Sequence, residues 1–451
     1  MKHLKVFNNE AEYNAAYGSG SLVHPTVSYI RGGKNLKTFP RPENDVPLYI
    51  EALEDLTVLI SNSAIEYSLD NESWVSLASN TASPTIVAGN RVYLRGTNPE
   101  VTVSAGMGTF TITGACNIGG NIMSLIYGED YRGQTSIYKT YQFYKLFSGA
   151  NTIVDASRLS LPATDLKSYC YMGMFKDCTS LVNAPELPAT ELQIYCYGYV
   201  NVATSGTITY NGMFQGCTSL INAPELPATT LAEGCYGAMF YGCTSLVNAP
   251  ELPATELQRY CYSAMFSGCT SLVNAPELPA TTLAEGCYGC HYKTTATSNP
   301  DKYVLDGMFQ GCTSLVNGPK ILPATNLLGY IYYKMFFGCT SLVNAPELPA
   351  TELQRYCYNA MFSGCTSLVN APELPATTLI SYCYSQMFYN CKALKYIKAM
   401  FTTTPGASYL SGWVSNVYFS GTFVKNSKAT WSNTFGVNGI PSGWTVELAD
   451  A

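Results

Sequence analysis

The chain has 451 residues, of which only 12% are charged and 13% aromatic, with 35 Tyr against 18 Phe and a formal charge of −6. So few Lys and Arg, and no basic run, exclude a phosphate-backbone binder. No apolar run reaches membrane-spanning length, and three His without a GxSxG, HExxH or P-loop motif give no catalytic or zinc constellation.

Residues 1–45 read as an adaptor. A brief helix is expected over 9–17 and an extended segment over 24–30, with Pro40, Pro42 and Pro47 as a stiff connection. The opening MKHLKVFNNEAEYNAAYGSG lacks the apolar stretch of a signal peptide. The chain as written is therefore expected not to use the general secretory route.

Residues 46–130 carry short β-rich runs at 48–53, 56–60, 65–69, 91–95 and 109–113, separated by turn signals such as Asp70-Asn71. This spacing predicts a small antiparallel β-sandwich of immunoglobulin-like size, with Trp74 as a core or edge aromatic.

From 141 to 400 the sequence repeats. Cys178, Cys217, Cys243, Cys269, Cys312, Cys339, Cys365 and Cys391 mark a unit whose commonest gap is 26 residues, and the long gaps of 39 and 43 are that unit plus an insertion. A fixed period of this length is a solenoid signature. Leu146-Phe147 reads as a degenerate cap copy. Within a unit, Leu246, Ala249 and Leu252 are placed inward, followed by Leu257, Cys261, Met265 and Phe266. Pro250 keeps each strand short. The return limb 255–266 is expected as a turn of helix or 3₁₀, and Gly268 as the tight turn into the next strand.

Stacking at ~4.8 Å turns each repeated residue into a ladder. The Asn ladder would satisfy backbone groups at the turn, and the Phe and Cys ladders would be core. Fifteen of the 17 Cys fall in two such columns, Cys116 and Cys290 being the exceptions. That pattern predicts reduced, buried thiols more than disulfides. Glu186, Glu225, Glu251, Glu277, Glu347 and Glu373 form an acidic stripe that must face solvent. It reads as a solvated stripe or, as the sharper alternative, a cation track, and Lys320 breaks it.

Two insertions, at 198–210 and 290–303, enter the unit at the same point, so both are expected on one side of the solenoid. Copying also fails at Gln258-Arg259-Tyr260 and Gln354-Arg355-Tyr356, against Ala232-Glu233-Gly234 and Ala284-Glu285-Gly286. Tyrosine suits carbohydrate stacking or protein contact, because its ring is apolar and its hydroxyl polar. The candidate ligand-binding residues are therefore Tyr199, Tyr210, His291, Tyr292, Lys293, Tyr303, Arg259, Tyr260, Arg355 and Tyr356. No catalytic, cofactor or metal-binding residue is expected. Residues 401–451 read as a β cap.

The unit MFxGCTSLxxAPELPATxLxxxCYxxMF resembles the BspA-like leucine-rich repeats of surface proteins from bacteroidete gut bacteria and their phages, and NGIPSGWTVE resembles the usual end of that family. The resemblance covers about 145–400 and implies adhesion or protein contact, not catalysis. The opening LKVFNNEAEYNAAY is similar to phage structural proteins of the same hosts. The fold expected is mostly β with short helical or 3₁₀ segments: a leucine-rich-repeat solenoid after a small antiparallel β-sandwich. The function expected is a virion appendage, a fibre or decoration protein, assembled in the bacterial cytoplasm. The alternative is a bacterial cell-surface adhesin. Partners implied are other virion proteins through the N-terminal region, a host-surface glycan or protein, and further copies of the chain. Nucleic acid and membrane insertion are not implied.

Overall fold

The computed structural model describes residues 27–29, 37–39, 43–96, 108–202, 208–289, 306–403, 405–406 and 408–449. The helix expected at 9–17 lies outside them. β1 (Val27–Tyr29) and β2 (Lys37–Phe39) form an antiparallel pair.

The front unit holds β3 (Leu48–Ala52), β4 (Val58–Ile60), β5 (Ile65–Ser68), β6 (Val75–Leu77), β7 (Arg91–Gly96), β8 (Phe110–Ile112) and β9 (Cys116–Asn121). Alternation sets the faces: in β7, Val92, Leu94 and Gly96 are buried while Arg91, Tyr93 and Arg95 are half-buried. A six-stranded sheet runs β10-β9-β3-β7-β5-β6, and β4 pairs with β8 in a second, two-stranded sheet. The first strand of that order, β10 (Ile153–Ser160), is the first strand of the array. It pairs with β9 in parallel, whereas the other pairs in the front unit are antiparallel. The parallel ladder then continues through the bridges Asp155↔Asn183, Asn183↔Asn222 and Asn222↔Asn248. The front sheet therefore runs edge-on into the stack.

One hydrophobic core follows the same path, from Leu48 to Trp444. Its spine is a column of rings. Phe110 of the front unit stacks on Phe147, and neighbouring centroids are 5.3–5.9 Å apart through Phe175, Phe214, Phe240, Phe266, Phe309, Phe336, Phe362 and Phe388. A second column, Tyr171, Tyr197, Tyr236, Tyr262, Tyr288, Tyr332, Tyr358 and Tyr384, is as deeply buried. Sequence alone did not place it inside. Burial without a charge partner holds these hydroxyls well above the ordinary value of 10.0.

The return limb differs from expectation. In two copies it opens on short parallel strands, β13 (Glu256–Leu257) and β14 (Thr282–Leu283), and the rest is a run of turns rather than helix or 3₁₀. In one copy Tyr356, Ala360 and Gly364 have φ of 61°, 52° and 79°. A left-handed residue every fourth position bends the chain repeatedly and prevents a helix from propagating. The amide hydrogens alternate in direction. Those of Asn359, Met361, Ser363 and Cys365 close turns within the rung, and those of Tyr358, Ala360, Phe362 and Gly364 donate to the next rung. Each backbone donor of this buried stretch is thereby used. Helix is confined to α1 (Ser124–Tyr127) and the 3₁₀ turn Gly128–Tyr131 among the described residues.

The 16 described Cys are buried. In the marker column each thiol donates to the Phe carbonyl of the preceding rung, as from Cys243 to Phe214 and Cys269 to Phe240 at 3.0–3.1 Å. Burial pushes Cys170 and Cys312 up to about 12. The Asn ladder also departs from expectation: its exposed side chains bond to one another, as Asn317 Nδ2 to Asn274 Oδ1 at 2.6 Å, rather than to turn backbone.

Stacking continues where sequence copying ends near 400. β15 (Tyr396–Ala399), β16 (Thr422–Lys425) and β17 (Thr445–Leu448) are parallel. Trp413 follows Phe388 in the ring column at 6.0 Å. The indole N–H groups of Trp413, Trp431 and Trp444 each reach a backbone carbonyl at 2.8–3.0 Å. Three large rings thus close the apolar end of the core without an unpaired polar atom.

Candidate functional site

The residue before each inner Cys is left-handed in rung after rung. Tyr141, Tyr169, Tyr195, Tyr260, Tyr330, Tyr356 and Tyr382 have φ of 54–63°, and Gly234 and Gly286 occupy the same position at 61° and 69°. A non-glycine residue is costly there, and stacking of these rings, half-buried at the other positions and buried at Tyr356, opposes that cost. Tyr330, Tyr356 and Tyr382 stack at 4.7 and 4.6 Å, and Tyr141 and Tyr169 at 4.4 Å. At Gly234 a Cβ would lie 2.2 Å from the Tyr195 ring, whose hydroxyl donates to Glu233 at 2.6 Å. The exchange of Gln-Arg-Tyr for Ala-Glu-Gly therefore answers a backbone requirement as well as changing the surface.

Two predicted pairs lie on this column. Arg259 Nη2 donates to Tyr260 Oη at 3.0 Å and pairs with Glu285 at 3.2 Å. The Arg355 guanidinium lies 5.1 Å from the Tyr356 ring centroid and 5.8 Å from that of Tyr382. The pairs are three rungs apart, ~14 Å at strand spacing. They share a surface but do not meet.

The first insertion joins the same surface. Tyr199 packs edge-on against Tyr195 at 4.6 Å and approaches Tyr169 at 6.3 Å. The chain then forms the hairpin β11 (Val200–Val202) and β12 (Ile208–Tyr210). At its end Tyr210 stacks on Tyr241 at 4.3 Å, and Lys176 Nζ donates to its carbonyl at 2.9 Å. Tyr210 Oη accepts a long hydrogen bond, 3.4 Å, from the amide of Asp306. Asp306 is the first described residue after the second insertion, and Gln310 Nε2 donates to its carboxylate at 2.7 Å. Burial and the Asp306 carboxylate push Tyr241 up to about 12, and raise Tyr210 also. Burial lowers Lys334, whose ammonium lies 5.1 Å from the Phe337 ring, although Asp306 opposes the shift.

Glycine lets the insertions leave and return. A Cβ would lie 2.1 Å from the Gly237 carbonyl at Gly198, 1.9 Å from that of Ala238 at Gly212, and 2.2 Å from that of Lys334 at Gly307. The loop roots therefore sit against the backbone of the next rung. His291, Tyr292, Lys293 and Tyr303 lie outside the described residues.

The arrangement supplies aromatic edges, phenol hydroxyls, guanidinium groups and one half-buried carboxylate. Among the described residues it pairs no nucleophile with a base. Cys287-Tyr288-Gly289-Cys290 has CxxC spacing, but Cys287 is buried in its column and Cys290 lies outside the described residues. No group of three His, Cys, Asp or Glu among the described residues could hold a metal ion. The six Glu of the acidic stripe are exposed. Lys398 pairs with Glu373 at 3.0 Å, and the Lys320 amide donates to Glu277 at 3.1 Å. Sequence reasoning missed Tyr141, Tyr169, Tyr195, Tyr330, Tyr382, Tyr241 and Asp306. Tyr169, Tyr195, Tyr330 and Tyr382 had a signal: the residue before the inner Cys, or before Ile331 in its place, is Tyr or Gly in every full copy.

Residues 198–316 and 281–409 match the family model of the BspA type leucine rich repeat region, in six copies. No curated protein and no solved structure matches the chain. Among the described residues no helix is long and apolar enough to cross a membrane.

Proposed function

We propose, on the premise that this chain is a BspA-like leucine-rich-repeat protein, that its array works as a non-catalytic adhesion surface. One observation carries the reading. The first insertion packs at its start on the outer tyrosine column and at its end reaches the root of the second, through Tyr210, Tyr241 and Asp306. The first insertion, the column and the root of the second insertion thus share one tyrosine-lined flank of the stack. Aromatic and Arg groups of this kind are the ones enriched where proteins bind partners. The ligand is a surface glycan or protein, met by the column through Arg259 and Arg355 and by the loops through Tyr199, Tyr210 and residues 291–303.

The finer reading is a phage virion appendage, attached through the N-terminal region and displaying the array. The similarity of the opening to phage structural proteins supports it. A cell-surface adhesin is the second reading, favoured by the surface location general to BspA-type proteins. Fractionation separates them: co-sedimentation with phage particles is expected, and detection on intact uninfected cells would sink the virion reading. For the array, glycan and host-protein panels are screened with the intact chain. The hit is then repeated with Arg259→Ala plus Arg355→Ala and with deletion of 292–302. Each variant is expected to weaken binding at least tenfold, the loss typical of an interface hot spot. Unchanged binding in both would remove the tyrosine flank as the site.

A further inference from the structure

We propose that the front unit carries a second binding site, a cleft for a single pyranose ring bearing a carboxylate. The cleft lies between the β5–β6 turn and the segment 128–132, with a volume of about 230 Å³. That is below the usual range for drug-sized ligands and suits one sugar ring. Its walls include Asn71, Trp74, Arg95, Glu129 and Arg132.

The aromatic wall is fixed before any ligand arrives. The Arg95 guanidinium lies 4.1 Å from the Trp74 ring centroid and is clamped by Glu66 and Glu129, both at 2.6 Å. Its charge is thus spent within the protein. The turn that presents Trp74 is equally constrained. Asp70 Oδ1 accepts from Ser68 Oγ at 2.8 Å, the Glu72 amide at 2.8 Å and the Ser73 amide at 2.7 Å. Asn71 takes the left-handed conformation at φ 63°.

Arg132 is different. Its Nε and Nη2 donate to the Asp45 backbone carbonyl at 3.3 and 3.1 Å. No carboxylate pairs with it among the described residues. Of its five N–H donors three remain, on a guanidinium that lies 4.9 Å from the Tyr131 ring centroid and lines the same cleft as Trp74. A pyranose places its C–H face on the indole, its carboxylate on Arg132, and hydroxyls within reach of Asn71 and Glu129. A neutral sugar would leave the Arg132 charge unanswered.

The site is in the front unit, so its failure leaves the array reading untouched. The test titrates the intact chain with a methyl hexuronide, the matching neutral methyl hexoside and sodium acetate, read by saturation-transfer NMR. The hexuronide is expected to bind saturably, at least tenfold tighter than the hexoside, with acetate a weaker competitor still. Trp74→Ala should abolish ring-proton saturation, and Arg132→Gln should bring the hexuronide down to the hexoside level. Equal binding of the two sugars, acetate competing as well as the hexuronide, or no saturable binding would each overturn the proposal. These comparisons use the unaltered chain, so they hold even where a variant misfolds.

Discussion

A left-handed backbone position leaves a side chain only a few ways to be tolerated, and this protein uses most of them. At the tight corner after each inner Phe the usual residue is Gly, but Asp177 and Asn390 occupy it at φ 60°. Gly242 isolates the conformational term, since φ is 72° and a Cβ there would meet nothing within 4 Å. Gly242→Ala is therefore expected to cost about 1–2 kcal/mol from backbone alone. Gly242→Asn should cost less, because Asn visits this region more readily. Urea titration of the two variants checks the order, and equal losses would mean that the corner is not conformationally limited. The cysteines answer a different demand: a small apolar side chain that still offers a weak donor to the Phe carbonyl of the preceding rung.

A rung is not a helix hairpin but a β-bridge, a corner and a chain of turns bonded to its neighbours. Each rung satisfies itself through the next, so the array should tolerate loss of a whole copy better than loss of part of one. Excising 335–360 joins Lys334 to Met361 and preserves every column. The shortened chain is expected to fold, with the same far-UV circular dichroism per residue and a Tm lower by a few degrees. Failure to fold would show that the rungs are not interchangeable. The carboxyl end of the insertion hairpin is held by one ring stack and two hydrogen bonds at Tyr210. Tyr210→Ala should speed protease cleavage within 200–210 severalfold while leaving Tm nearly unchanged. An unchanged cleavage rate would show that this anchor does not hold the hairpin.

At the scale of the molecule, one core threads the front unit, the array and the terminal strands, and it is lined by tyrosine hydroxyls and thiols. Burial raises their folded values above the ordinary 10.0 for Tyr and 9.0 for Cys. For an acid whose neutral form is held in the fold, the stabilisation is complete below the unfolded value and is lost as pH rises through it toward the folded one. Stability should therefore hold near pH 7 and fall steeply above about pH 9–10. Thermal melts across pH 7–11 test this. Absorbance at 295 nm should show the inner tyrosine column ionising only as the chain unfolds, and the buried thiols should react with a disulfide reagent on the same schedule. Smooth ionisation of all 35 Tyr near pH 10 with the fold intact would contradict it.

The sequence by itself determined the stacked repeat, its Phe and Cys core, the acidic stripe and the shared entry point of the two insertions. Each of these follows from identical residues recurring at a fixed period, and a period survives without coordinates. Tertiary structure alone decided that the Tyr after each inner Cys forms the deeply buried column and the Tyr before it the outer one, because both recur through most copies and only the left-handed turns set their direction. It alone joined Phe110 to the ring column and extended the stack to β17, where no copied motif remains. It alone brought Tyr210 to Tyr241 and Asp306, and Trp74 to Arg95. Those contacts lie between residues that share no period, and only the packing of rung on rung and strand on strand brings them within reach.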